Sequence, residues 1–307
     1  MNQLTEALHN ISGAQHQYEV FTGANTHTPY LADTRQKYQR KLFDTLDEVL
    51  SRCDLRDGMT VSFHHAFREG DQVINYVMAR LAEKGLRGLT LASSSLMTCN
   101  APLIEHIKHG VISKIYTSGM RGELADAISH GLMEEPVQIH SHGGRVNLIE
   151  KGEINIDVAF LAVSCCDEYG NASGSGGKSR CGSLGYAMVD AKYARKVVLL
   201  TESIEPFPYM PASIIQDQVD YIVKIDSVGD PAKISVGAAR VTSNPRELMI
   251  ARSTADVIEH SGYFRDGFSL QTGSGAASTA CTRFLESRMR KHNIVASFAL
   301  GGITGSI

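Results

Sequence analysis

Short apolar runs of strand length alternate, through most of this chain, with segments whose apolar residues recur at helical spacing. Met59–Phe63, Leu89–Ala92, Ser113–Thr117, Val137–His140, Asp157–Val163, Lys196–Thr201 and Asp220–Ile225 read as strands. Between them, Val73, Ile74, Val77, Met78 and Leu81 form a helical stripe up to Gly85. Pro102 to His109 and Ala187–Ala194 read as helices, and Glu123 to His130 as a helical turn or two. Strands joined through helices of this length run parallel, which predicts an α/β fold on a parallel sheet. That class hosts many activities and does not by itself select one.

The first 32 residues are polar and broken by Gly and Pro, and read as a surface arm. From Asp33 or Thr34 a helix is expected, with Leu42, Phe43, Leu46, Val49 and Leu50 on one stripe and an end near Cys53. Farther on, an internal repeat appears. Arg56-Asp57-Gly58 opens a strand, a loop, a helix and a second strand, and Arg265-Asp266-Gly267 opens the same series, ending in the strand Ile294–Leu300. The organisation expected is an N-terminal arm and helix over 1–54, a first α/β domain over 55–240, and the incomplete start of a related second domain over 241–307.

Charge and cysteine content narrow the partners. With 30 basic against 33 acidic side chains and a net charge of −3, there is no basic footprint for nucleic acid. The longest apolar runs are far short of a membrane span, and no basic-then-apolar leader opens the chain. Six scattered cysteines without a CxxC pair fit a reduced, cytoplasmic protein with neither a disulfide framework nor a zinc site. His106 and His109 lie one turn apart, but no third ligand stands near them in sequence, so no metal is expected.

Ligands of open α/β sheets sit beyond the carboxyl ends of strands, so the residues following each strand matter most. They are His64, His65 and Arg68; Ser93, Ser94 and Ser95; Ser118, Gly119 and Met120; Ser141 to Arg145; and Thr272 to Gly275. Small residues let backbone N–H groups approach an anion, and Arg adds a fork for carboxylate or phosphate. An anionic ligand is the natural reading. Ala172 to Ser179 nearly spells a phosphate-binding loop, but eight residues separate it from the preceding strand and Cys181 to Gly185 is a poor helix opening. Gly273-x-Gly275 lacks the third glycine of a dinucleotide fingerprint, and no GxSxG elbow occurs.

Through Ser62 to Asp71, Ser164 to Gly174 and Thr272 to Ala277, the sequence resembles the CoA-transferases, and among them the family of citrate lyase alpha subunits. The resemblance covers essentially the whole chain. It implies a Rossmann-like CoA-transferase domain and an acyl exchange, in which citrate displaces acetate from an acetylated acyl-carrier protein. The implied route is attack of a citrate carboxylate on the thioester through a mixed anhydride. It further implies a lyase (beta) subunit and an acyl-carrier (gamma) subunit as partners, and association into a homo-oligomer. No cofactor is then bound by the chain itself; the CoA-like thioester of the carrier, or acetyl-CoA, enters as substrate.

On that reading His64, His65, Arg68, Ser94, Ser95 and Arg145 bind the substrate carboxylates. Ser118, Gly119, Met120, Gly143, Gly144, Gly273, Ser274 and Gly275 supply thioester and oxyanion contacts. No catalytic residue is assigned. Many CoA-transferases carry a glutamate nucleophile in the second domain. The comparable stretch Gly301 to Ser306 has no carboxylate, which fits either a route without a covalent enzyme intermediate or a glutamate beyond the chain's end. Two other readings stand beside it: a sugar-phosphate isomerase with Glu69 as base, and a non-catalytic ligand-sensing or assembly module.

Overall fold

The computed structural model describes residues 40–234, 242–273 and 275–301; the leading arm, the expected helix start at Asp33 or Thr34, Ser274, and Gly302 to Ser306 lie outside them. In chain order the strands are β1 (Leu42–Phe43), β2 (Thr60–Phe63), β3 (Leu89–Ser93), β4 (Ile112–Thr117), β5 (Gln138–Ile139), β6 (Val158–Ala162), β7 (Cys165–Cys166), β8 (Ala172–Ser173), β9 (Lys196–Thr201) and β10 (Tyr221–Lys224). The helices among them are α1 (Leu46–Arg52), α2 (Val73–Glu83), α3 (Leu103–Lys108), α4 (Gly122–Ser129), α5 (His142–Glu150), α6 (Tyr186–Tyr193) and α7 (Pro231–Ile234).

Eight of these strands form one all-parallel sheet in the order β1-β10-β9-β6-β2-β3-β4-β5. Both faces are covered, as a parallel sheet requires. Alternate side chains go to opposite faces. Val61, Phe63, Leu91, Phe160 and Val198 join the apolar residues of α1, α2 and α3 on one side. Ala159, Leu161, Val197 and Leu199 join Ile149 of α5 and Ala187 and Ala191 of α6 on the other.

Past residue 244 the chain builds α8 (Pro245–His260), β11 (Ser269–Thr272), α9 (Ala276–His292) and β12 (Phe298–Gly301). The strands β11 and β12 pair in parallel, and Ala251, Ala255, Ala280, Cys281 and Leu285 form a small core between the helices and strands.

The repeated Arg-Asp-Gly turns do the same job in both places. Asp57 accepts the amide of Arg87 at 2.8 Å, while Gly58 donates to the Arg87 carbonyl at 3.1 Å. Asp266 accepts the amide of Val295 at 2.9 Å, while Gly267 donates to the Val295 carbonyl at 2.8 Å. Both glycines stand at φ near +78°, a region that a side chain disfavours. Each turn thus staples the start of one strand to the segment leading into its parallel neighbour. Asp57→Ala and Asp266→Ala are each expected to cost about 1 kcal/mol in urea unfolding, the net worth of one such hydrogen bond.

Several expectations need correction. Leu42 and Phe43 form strand β1, not the start of the helix. Their backbone pairs with Ile222 and Val223 at the sheet edge, a long-range contact that local periodicity does not register. The helix begins at Leu46, with Thr45 as its cap. Leu46, Val49 and Leu50 of this helix are buried in the main core. Beyond β5, Ser141 caps α5 and His142 opens it, so the strand-end residues from His142 to Arg145 lie on a helix. Helix α8 was not anticipated, although Asn244 followed by Pro245 is a cap-and-first-turn signal. The last strand starts at Phe298, because Val295 and Ser297 are used in closing the Asp266 turn.

Candidate active site

From β2 the chain steps outward through β3, β4 and β5, then returns to β6 beside β2 and steps the other way to β9 and β10. The order therefore reverses between β2 and β6, and the crevice beyond their carboxyl ends is where such a sheet binds its ligand. His64 and His65 leave β2 at that point.

His64 braces the seam. Its Nε2 donates to the Ala162 carbonyl of β6 at 2.7 Å, and its Nδ1 accepts the Ala66 amide at 3.2 Å. Both partners have fixed roles, so the tautomer follows. The ring is 2 % exposed, and burial pulls its pKa down to about 4. With both nitrogens used, His64 holds strands together and has no ring atom left for a ligand.

His65 differs. Its amide donates to Ser94 Oγ at 3.1 Å, and Nδ1 lies 2.6 Å from the same oxygen. Ser94 Oγ can donate to Nδ1 or accept from it, and donation leaves the proton of the neutral ring on Nε2. Burial, followed by the nearby His64, His142, Arg68 and Arg145, pulls its pKa down to about 3. The ring stands 5.7 Å from both His142 and Tyr186, and those two are 5.1 Å apart. Arg68 is exposed on the adjoining turn, makes no ion pair among the described residues, and holds φ at +51°. A non-glycine residue in that region is strained, and such strain gathers at functional sites.

Arg145 is 1 % exposed and spent within the fold. Its Nη1 and Nη2 donate to the two carboxylate oxygens of Asp190 at 2.7 and 2.9 Å, and Nη2 also reaches the Ala92 carbonyl at 3.1 Å. Its Nε is buried without a partner. It underlies the site instead of facing a ligand.

Ser94, Ser95, Ser118, Gly119 and Met120 do come together, because the ends of β3 and β4 are zipped. Ser95 Oγ donates to the Gly119 carbonyl at 3.2 Å, the Ser118 amide to the Ser94 carbonyl at 3.3 Å, and the Gly119 amide to Thr117 Oγ1 at 3.3 Å. Those two amides are therefore already engaged, and Met120 bridges Leu96. Gly143 and Gly144 lie in the first turn of α5, where the Gly144 amide donates to Ser141 Oγ at 3.0 Å. Gly273 and Gly275 stand at the end of β11, with the Gly273 amide donating to Ser278 Oγ at 2.9 Å. Ser274 lies outside the described residues.

Sequence reading missed Tyr186 and Asp190. A signal for Asp190 was present, an acid amid Ala187, Met188, Val189 and Ala191 on a sheet-covering helix, which demands a buried partner. The near-match to a phosphate loop opens no helix, since the next one starts only at Tyr186. Burial pushes the Cys53, Cys99 and Cys181 thiols up to about 12, so none is a thiolate at neutral pH. Among the described residues no three His, Cys, Asp or Glu side chains are grouped to hold a metal ion, and no helix is long and apolar enough to cross a membrane.

The buried acids and bases set the pH response. Below 6.5 an unfolded histidine takes up a proton that folded His64 and His65 refuse, so each costs about 1.4 kcal/mol per pH unit on acidification. Asp71 acts with the opposite sign. Burial raises its pKa from 3.8 to about 7, so the folded form keeps a proton that the unfolded form loses. Between pH 6 and 4 these groups leave a net loss of about 1.4 kcal/mol per unit, and Asp71→Asn should double that slope. Urea unfolding across this range checks it; a flat profile in both proteins would contradict the neutral histidines.

Comparison with known proteins fits this geometry. The family model described as citrate lyase, alpha subunit, matches residues 39–307. The citrate lyase alpha chain of Klebsiella pneumoniae is 64% identical over 287 residues, covering 94% of this chain and 56% of that one. A Streptococcus mutans structure described as an alpha subunit of citrate lyase, in complex with citrate, superposes with a TM-score of 0.84 at 51% identity, over 88% of this chain and 53% of that one. An acyl-CoA transferase from Escherichia coli O157:H7 shares the fold, with a TM-score of 0.61 at 14% identity over 87% of this chain and 63% of that one. The chain spans just over half the length of the curated relatives it matches.

Proposed function

The chain belongs to the citrate lyase alpha-subunit family, and from that premise we propose that it exchanges acetyl for citryl on an acyl-carrier or CoA thioester. A citrate carboxylate oxygen attacks the acetyl thioester carbonyl, the C–S bond breaks, and the thiolate leaves. The thiolate then attacks the citryl carbonyl of the mixed anhydride and releases acetate. Such a route needs a clamp for an anion and a donor for the developing oxyanion, and no side-chain nucleophile.

The observation that carries the reading is the pairing, at the switch-point crevice, of the exposed cation Arg68 with the neutral imidazole of His65. Arg68 takes a citrate carboxylate, and His65 donates from Nε2. That a Streptococcus mutans relative was solved with citrate supports an anionic tricarboxylate as the ligand. The reading extends to a cytoplasmic assembly with a lyase subunit and a carrier subunit. Neither Gly143 nor the Gly273–Gly275 turn is needed for the clamp; both remain thioester contacts within the proposal.

The test is direct. Incubated with acetyl-CoA and citrate, the protein is expected to yield citryl-CoA and acetate. Absence of transfer together with tight binding of a sugar phosphate would replace this reading with an isomerase, for which Glu69 is the available base.

A further inference from the structure

The two members of the buried ion pair stand on the two helices that deliver aromatic rings to the site. His142 precedes Arg145 by one turn of α5, and Tyr186 precedes Asp190 by one turn of α6. Residues three and four apart share a helix face, so each charged partner lies on the same face as a ring. The pair is also tied to the sheet beneath. Ser62 Oγ of β2 donates to Asp190 Oδ2 at 2.9 Å, and the guanidinium reaches Ala92 of β3. Asp190 is 0 % exposed. Four elements meet at one carboxylate and one guanidinium, and the rings of His65, His142 and Tyr186 cluster with one another on the end of β2 and on the same two helices.

Stability gives no reason to keep such a pair, because well-packed apolar replacements of buried ion pairs are often neutral or better. What apolar side chains lack is direction. A bidentate fork fixes both the separation and the rotation of the helices that carry it. We propose that the Arg145–Asp190 pair is a positioning element, which sets α5 and α6 so that His142 and Tyr186 stack on His65. The consequence for substrate rests on the citrate-exchange reading; the consequence for the rings does not.

The experiment replaces both partners at once, Arg145→Met with Asp190→Leu, in the full chain. Three readouts are taken: Tm, nuclear Overhauser contacts between the His65 and Tyr186 rings, and citrate affinity by calorimetry. The expected result is a Tm close to that of the parent, loss of the ring contacts, and a citrate Kd at least tenfold higher. Ring contacts at parental strength in the double variant would overturn the proposal, whatever Tm does. If that variant fails to fold, Arg145→Lys, which keeps the charge and loses the fork, is expected to weaken the same ring contacts; unchanged contacts there overturn it equally. Tyr186→Leu removes one ring with the pair intact and should reproduce the affinity loss. A parent protein that binds no citrate would sink the exchange reading alone, and the ring contacts would still decide the positioning role.

Discussion

Asp190→Leu, made alone, is expected to lower the unfolding free energy by about 3–5 kcal/mol, the cost of leaving one member of a buried pair uncompensated. The loss has identifiable parts. The Arg145 guanidinium stays at 1 % exposure with no carboxylate opposite it, and the Ser62 hydroxyl loses its acceptor. Neither group has water to turn to, so the desolvation cost is carried in full. Urea unfolding measures it directly. A change under 1 kcal/mol would mean that the pair is solvated, which is incompatible with the burial of both side chains. The contrast with the double replacement is the informative comparison. Removing one charge should cost far more than removing two, the opposite of what independent contacts would give.

Arg68→Gly is expected to raise the Kd for citrate by about 10- to 100-fold, as loss of a charge-assisted contact worth about 1.5–3 kcal/mol implies. The same substitution should raise stability by about 0.5–1 kcal/mol, because glycine adopts the left-handed conformation at φ +51° without strain. Arg68→Ala should show the same affinity loss with no gain in stability. Binding of acetyl-CoA should change little in either variant. Equal loss of citrate and thioester binding would remove the carboxylate-clamp role, and a destabilised Arg68→Gly would show that the side chain packs structurally. A residue that costs stability where it stands and contributes affinity in return is the pattern of a functional position.

The fold was largely legible because its signal is local and repetitive. Val61 to Phe63, Leu89 to Ala92 and Val197 to Leu200 are β-rich runs bounded by turn residues, and the structure adds mainly their order. The Asp57 and Asp266 turns were readable as a repeat, and their identical hydrogen bonding shows why the triplet recurs. Strand β1 was not readable, because two residues of a helical stripe are diverted by pairing with a strand far along the chain. At the site, residue type and strand-end position brought His65, Arg68 and Ser94 forward. Sequence could not divide His64 from His65, since one residue's step turns the ring from the ligand crevice into the seam. Nor could it show that Arg145 is neutralised, because the Asp190 that does so lies on another helix.

The sheet's outermost strand carries a consequence for how the molecule assembles. Pairing Leu42 with Ile222 closes a longer span of chain than any other register in the sheet, and only two residues profit from it. The entropy of loop closure grows with that span, whereas the neighbours β6, β9 and β10 join over much shorter ones. The buried ammonium of Lys41, donating to the carbonyls of Gln216 and Val219, fastens the join once it is made. Assembly is thus expected to join β2 with β3 and β6 with β9 and β10 first, to close the longer β2–β6 seam next and to add β1 last, so that the ligand crevice takes shape while the sheet's far border is still open.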